Sequence, residues 1–351
     1  IFVSKNESFS ITNSRFINCH MTNWGDCFFI FLQNSNAEIK NSTFDFCKYQ
    51  NNLIGLSESD SNYYVHFYSN RISHCSHFNN QTSMVFNSYY HQNDIQNNTV
   101  KYDKINYPNR VFNFIYYGKC KFISNSILNA NYEEASAVML HIQEQYNEFI
   151  MSDCIFTNCR GNVGASVFIK DCTMNLTFKN LTFQDTTNNY IQNNGQNRGY
   201  IFRIDRINLG TEVLHTTVDL INCSFKNLIT NGQNCGGYGM TAKKKYGDNA
   251  NLYSYELTIK NTIFENIYFT HDKYGGGAIS LSHEINENRH TQLSLCDCTF
   301  SNISCKNGGG GAIYFNTPSQ KLTIERTKFK NIGADNVDFG GCIYVKYESD
   351  P

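Results

Sequence analysis

The sequence predicts an all-β chain, a right-handed parallel β-helix of about eleven coils. Three observations predict it: a repeat near 28 residues, strand-length apolar runs inside each repeat, and no window with capped helical periodicity. The repeat frame is a pair of apolar residues five apart, as Ile259 and Phe264 in "LTIKNTIFENI". Its second members are Phe16, Phe44, Ile72, Val100, Ile127, Phe156, Phe183, Phe225, Phe264, Phe300 and Phe329. They are spaced by 28, 28, 28, 27, 29, 27, 42, 39, 36 and 29 residues. Register held over eleven copies is a solenoid signature.

Three residues before each of these anchors stands Asn13, Asn41, Ser69, Asn97, Ser124, Asp153, Asn180, Asn222, Asn261, Asp297 or Arg326. Ten of the eleven are Asn, Asp or Ser, the turn formers, so a corner is expected there. Two residues before the anchor the chain is mostly small, as at Ser42, Asn70, Cys154 and Cys298, which suits an inward position at a narrow corner. A second apolar run follows a Gly or polar turn, as in "GASVFI", "GGAISL" and "GGAIYF". These alternating, β-branched and aromatic runs read as strands. One such unit cannot bury its own apolar face, but stacked units can. Coils stacked ~4.8 Å apart make a rod roughly 50 Å long. The crossover rule makes it right-handed.

The 351 residues are read as a single domain, 1–351. "IFV" at 1–3 aligns with Ile313-Tyr314-Phe315, so the chain reads as a piece of a longer solenoid. The 27 Phe and 23 Tyr supply a large apolar area for a core, and 49 Asn supply turns. A net charge of −1 argues against nucleic acid or an anionic membrane surface as partner. The sequence has no apolar run long enough for a transmembrane helix, so a membrane would be reached only through segments outside it.

"FENI…GGGAISL", "FSNI…GGGGAIYF" and "FKNI…FGGCIYV" (264–345) resemble the repeats of polymorphic outer membrane proteins, which pair a Phe/Asn motif with a Gly-Gly-Ala-Ile motif. Related repeats occur in protist surface proteins. The resemblance implies a passenger-like β-helix at the cell surface or outside the cell, with adhesive roles. It carries no catalytic residues.

The candidate sites follow from that frame. Gly308–Gly311 lacks the Lys-Ser/Thr and helix of a phosphate loop and reads as a corner of close backbone approach. No cofactor is expected. Asp153, Asp171, Asp185, Asp205 and Asp219 fall at different coil positions, so paired-carboxylate chemistry would depend on stacking. Cys19, Cys47 and Cys75 each lie three after an anchor and should form a ladder, either packed as small apolar side chains or within disulfide range. "HCSH" (74–77) near His20 lacks the spaced ligand pairs of a zinc site, and no metal is expected. Tyr63-Tyr64, Tyr89-Tyr90 and Tyr116-Tyr117 recur at 26 or 27 residues, as an outward aromatic strip or a turn-stabilising ladder. Asn6, Asn41, Asn80, Asn97, Asn175, Asn180, Asn222 and Asn302 head Asn-x-Ser/Thr sequons, which permit glycosylation on a secretory route.

Insertions in repeats emerge as loops, often on the binding face. Here they fall between 183 and 291, in 188–199, 231–253 and 283–290. Candidate contact residues are Asn194, Gln196, Arg198, Tyr238, Lys243, Lys244, Lys245, Tyr246, Asn286 and Arg289. The expected function is a non-enzymatic surface or extracellular protein, adhesive or structural, that takes a protein or glycan ligand through these loops. The alternatives are a polysaccharide lyase or hydrolase on a pectate-lyase-like β-helix, and a structural rod that contacts neighbouring copies in an assembly.

Overall fold

The computed structural model describes residues 2–5, 8–20, 29–49, 52–57, 63–77, 83–89, 92–102, 109–115, 119–131, 137–141, 148–161, 164–170, 175–188, 198–207, 215–231, 233–243, 253–270, 276–283, 289–306, 310–316, 320–335 and 341–346. The chain is a right-handed parallel β-helix of about eleven coils. Each coil contributes one strand to each of three long parallel sheets. In the first coil these are Phe2–Lys5, Ser8–Thr12 and Arg15–Ile17, in the first, second and third sheets respectively. Pairing is in register from coil to coil: Phe225 lies opposite Phe264, which lies opposite Phe300, which lies opposite Phe329.

Strands form because apolar and polar residues alternate, so one face can be buried. In Tyr64–Tyr68 the side chains of Val65 and Phe67 are buried, whereas Tyr64, His66 and Tyr68 point outward. The buried residues make one continuous core from Ile11 to Phe315. Inside it the predicted anchors stack. Phe156, Phe183, Phe225, Phe264, Phe300 and Phe329 form one ladder, with centroids 4.8–4.9 Å apart and ring planes within 18° of parallel. Phe16 and Phe44 form a shorter one at 5.0 Å. Ile72, Val100 and Ile127 fill the same position between the two ladders.

The corner between the second and third sheets is two residues long in every coil. Its first residue is the predicted turn former, and all eleven have φ between 45° and 56°, Arg326 included. Left-handed backbone costs an ordinary L-residue roughly 1–2 kcal/mol, and Asn and Asp meet it most readily after Gly. Arg326 is held there by an ion pair, its Nε 2.7 Å from Asp297 Oδ1 and its Nη2 2.9 Å from Oδ2. The corner does not break the ladder. From Asn13 to Asp297 the first corner residue donates its N–H to a carbonyl of the next coil, at 2.9–3.1 Å. A second left-handed residue lies two after the anchor in ten coils, for example Asn227, Asn266, Asn302 and Asn331. It resets the alternation, so that Phe300 and Ile303, three apart, are both buried.

The second corner residue points inward, mostly small as predicted, and apart from the apolar Leu181 it carries a side chain able to hydrogen-bond. Asn98 Nδ2 donates to Phe67 O at 2.8 Å and to Asn125 Oδ1 at 3.0 Å, and Asn98 Oδ1 accepts from Asn70 N at 2.9 Å. Cys154, Cys223 and Cys298 hold the same place with Sγ–H donated to backbone carbonyls. Burial pushes the Cys154 thiol up to about 12 and the Cys223 thiol to about 11, so both remain protonated donors.

The Gly-rich segment is a corner, as its missing phosphate-loop context implied. Gly310 has φ +73°, and a Cβ there would lie 2.1 Å from Ile313 O. A Cβ on Gly311 would meet Gly341 O of the next coil at 2.5 Å. Backbone, not phosphate, fills the space that these glycines leave. Gly308 and Gly309 lie outside the described residues.

Candidate functional site

The expected loop site is corrected in several places. Tyr238 is fully buried in the strand Gln233–Lys243 and belongs to the core, so it presents nothing to a partner. The Gly-rich composition of that stretch suggested a loop. Instead Gly239 packs opposite Arg203 and Ser280 in the first sheet, where a side chain is dispensable. Arg198, Lys243 and Arg289 are strand termini rather than loop tips. Asn194, Gln196, Lys244, Lys245, Tyr246 and Asn286 lie outside the described residues.

The strand ends also locate the insertions. The connection 189–197 runs from the third sheet to the first. The connections 244–252 and 284–288 run from the first sheet to the second, and so does 208–214, which the sequence reading did not single out. The first-to-second connection is five or six residues at 58–63, 142–147, 171–175 and 284–288, and longest in two successive coils, at 208–214 and 244–252.

The other candidates resolve as follows. Asp153 and Asp185 occupy left-handed corner positions on different corners, and each accepts an Asn amide from the next coil, at 2.7 and 2.9 Å. Asp219 lies in the second sheet and Asp205 in the first, while Asp171 lies outside the described residues. Among the described residues these carboxylates do not converge, and no group of three or more His, Cys, Asp or Glu could hold a metal ion. His74 Nδ1 is instead 2.6 Å from Asp45 Oδ1. Cys47 and Cys75 are buried free thiols, and Cys19 is a half-buried one. Cys47 Sγ–H donates to Phe16 O at 3.5 Å, and Cys75 Sγ–H to Phe44 O at 3.4 Å.

Tyr64 and Tyr89 do not share a ladder, and Tyr90, Tyr116 and Tyr117 lie outside the described residues. Tyr64 lies opposite Gln92 in the second sheet, and Tyr89 lies opposite Ile115 in the first. A spacing of 26 residues falls short of the local coil length, so Tyr64 and Tyr89 occupy different walls. Four sequon asparagines, Asn41, Asn97, Asn180 and Asn222, share the exposed left-handed corner between the second and third sheets.

One side-chain constellation was not assembled by the sequence reading. It lies on the outward face of the second sheet. Tyr64, His66 and Tyr68 alternate along one strand, with ring centroids 4.9 and 5.4 Å apart. Tyr64 is 43% exposed. In-register pairing puts Glu38 on one side of His66 and Asp94 on the other, with Lys121 beyond Asp94. Tyr68 Oη donates to Asp94 Oδ2, Gln96 Nε2 donates to Asp94 Oδ1 at 2.6 Å, and His66 Nδ1 is 2.8 Å from Tyr68 Oη. Lys40 Nζ pairs with Glu38 Oε1 at 3.0 Å. Burial and the acceptor Asp94 push the Tyr68 hydroxyl well above its usual value, so it stays protonated. Elsewhere in these three outward rows the described residues carry no aromatic ring: the equivalents include Ser10, Glu38, Asp94, Lys121, Thr177, Asp219, Thr258, Ser294 and Thr323. The signal in the sequence was "YYVHFY", where Val65 and Phe67 inside fix three rings outside.

Among the described residues no helix is long and apolar enough to cross a membrane. Comparison with protein-family models, with curated proteins and with solved structures gave no match for this chain.

Proposed function

We propose that this β-helix is a non-enzymatic adhesive or structural protein of the cell surface or extracellular space, which engages a protein or glycan partner through lengthened corners. One observation carries the reading. The second-to-third corner is held at two residues in every coil, while the first-to-second corner varies in length and is longest in two successive coils, at 208–214 and 244–252. Extra chain at one corner of neighbouring coils builds a joint surface without disturbing the stacked core. The repeat motifs around Phe264, Phe300 and Phe329 support the surface assignment through their resemblance to polymorphic outer membrane protein repeats.

Replacing 244–252 by a short Gly-Ser turn tests this. The variant should keep its melting temperature and lose most of its binding to host cells or matrix. Unchanged binding would count against the reading.

A second reading, a polysaccharide lyase or hydrolase, draws on Glu38, His66 and Asp94 lying in one row. Both oxygens of Asp94 already accept hydrogen bonds, from Tyr68 and Gln96, which favours a positioning role over acid–base chemistry. Reducing ends or unsaturated products released from a polysaccharide panel, and abolished by Asp94→Asn, would establish the second reading.

A further inference from the structure

We propose that the outward face around Tyr64, His66 and Tyr68 is a binding site for neutral pyranose rings of an oligosaccharide. A pyranose has an apolar C–H face and a rim of hydroxyls. A site for it needs an exposed aromatic ring beside fixed polar groups that can both donate and accept. The described second sheet offers that combination in one coil. The Tyr64 ring is exposed on a strand whose neighbours are paired on both sides, so its backbone is fixed. Its own N–H is taken by Asn36 Oδ1 at 3.1 Å, which holds the start of the strand. Rigid aromatic side chains lose little conformational entropy on binding, which suits them to contact surfaces.

The rim is pre-arranged by its own hydrogen bonds. Gln96 and Tyr68 orient Asp94, and His66 joins Tyr68. Such a network holds acceptors and donors at fixed positions, so a sugar hydroxyl is met without reorganisation. The charge count selects the class of sugar. Across the outward positions of these rows as far as Glu148, the acids Glu38, Asp94 and Glu148 are matched in number by Lys40, Lys119 and Lys121, so their formal charges cancel. A uronic or sialic acid would find no uncompensated cation there, and a sulfated chain would find none either. Neutral hexoses and N-acetylhexosamines fit.

The site lies on the outward wall of the second sheet, several coils before the 244–252 connection replaced in the loop test, so the two proposals can fail separately. The experiment uses the whole chain on a printed array of neutral and acidic oligosaccharides, followed by calorimetric titration of the best binder. Neutral glycans should bind. Tyr64→Ala should weaken them by at least tenfold, and Tyr64→Phe, which keeps the ring, should retain most affinity. Replacement of 244–252 should leave this binding unchanged. Circular dichroism and melting temperature confirm that the variants are folded, which the exposure of Tyr64 leads one to expect. Three results would overturn the proposal: no glycan bound, binding confined to acidic glycans, or neutral-glycan binding indifferent to Tyr64→Ala.

Discussion

The amino-terminal and carboxy-terminal coils keep one backbone with two different interiors. From Ser42 to Asn125 the inward corner is a polar ladder, in which each residue accepts the N–H of the coil before it. Beside the amide corners Asn70, Asn98 and Asn125 the anchors are aliphatic, namely Ile72, Val100 and Ile127, whereas the Ser42 corner keeps a ring, Phe44. From Phe156 onward the corner is thiol, apolar or Thr, and the anchors are six stacked Phe rings. The lesson is that the coil needs a filled anchor and a satisfied corner, and either can be the stronger partner. Where the corner binds through amides, the anchor need only fill space. Where the anchor stacks aromatic faces, a weak S–H donor suffices at the corner.

Three perturbations separate the two regimes. The largest effect is expected for Phe264→Ala, which opens a void between Phe225 and Phe300, each 4.8 Å away. Loss of a buried ring of this kind costs about 3–5 kcal/mol. It should appear as a lowered denaturant midpoint, with amide exchange accelerated most in the adjoining coils, because each coil contacts only its neighbours.

Next is Asn98→Ala, which orphans Phe67 O and Asn70 N inside the rod. At roughly 1–3 kcal/mol per buried unsatisfied group it should exceed the cost of Cys298→Ala, which removes only a weak donor. Equal losses in paired urea titrations of the two variants would erase the distinction between the two halves.

The smallest effect belongs to the Asp297–Arg326 pair. The Arg326 guanidinium holds the Asp297 carboxyl at about 2, below its ordinary 3.8. A depressed carboxylate stabilises the fold above its unfolded value, and that contribution fades as pH falls from about 4 towards 2. The pair is solvent-exposed and screened by salt. Asp297→Asn should flatten the dependence of melting temperature on pH in that window, lowering stability slightly at pH 7 and leaving it nearly unchanged near pH 2.

Much of this architecture was legible because the coil repeats its chemistry. Asn at position after position announced the left-handed corner, and the structure extended it to Arg326, whose type alone would not have suggested it. The ring ladder and the Gly310 corner followed from the same frame. The binding face was harder. Composition marked 231–243 as loop, because Gly and Gln resemble loop residues, yet neighbouring strands recruited them into the first sheet around the buried Tyr238. The face at Tyr64 was missed for the opposite reason. Glu38, His66, Asp94 and Lys121 follow one another at 28, 28 and 27 residues, and only stacking brings them together. Pairing distance in a solenoid is one coil, which no local motif records.

The invariant two-residue corner has a mechanical consequence. Each coil is locked to the next by the same bonds, so a rod pulled from its ends should unravel in discrete units. A coil of about 28 residues, at roughly 3.3–3.6 Å of contour per residue, releases on the order of 90–100 Å. Coils carrying lengthened corners would release more, and a force–extension trace would read out their order as a run of longer steps among uniform ones.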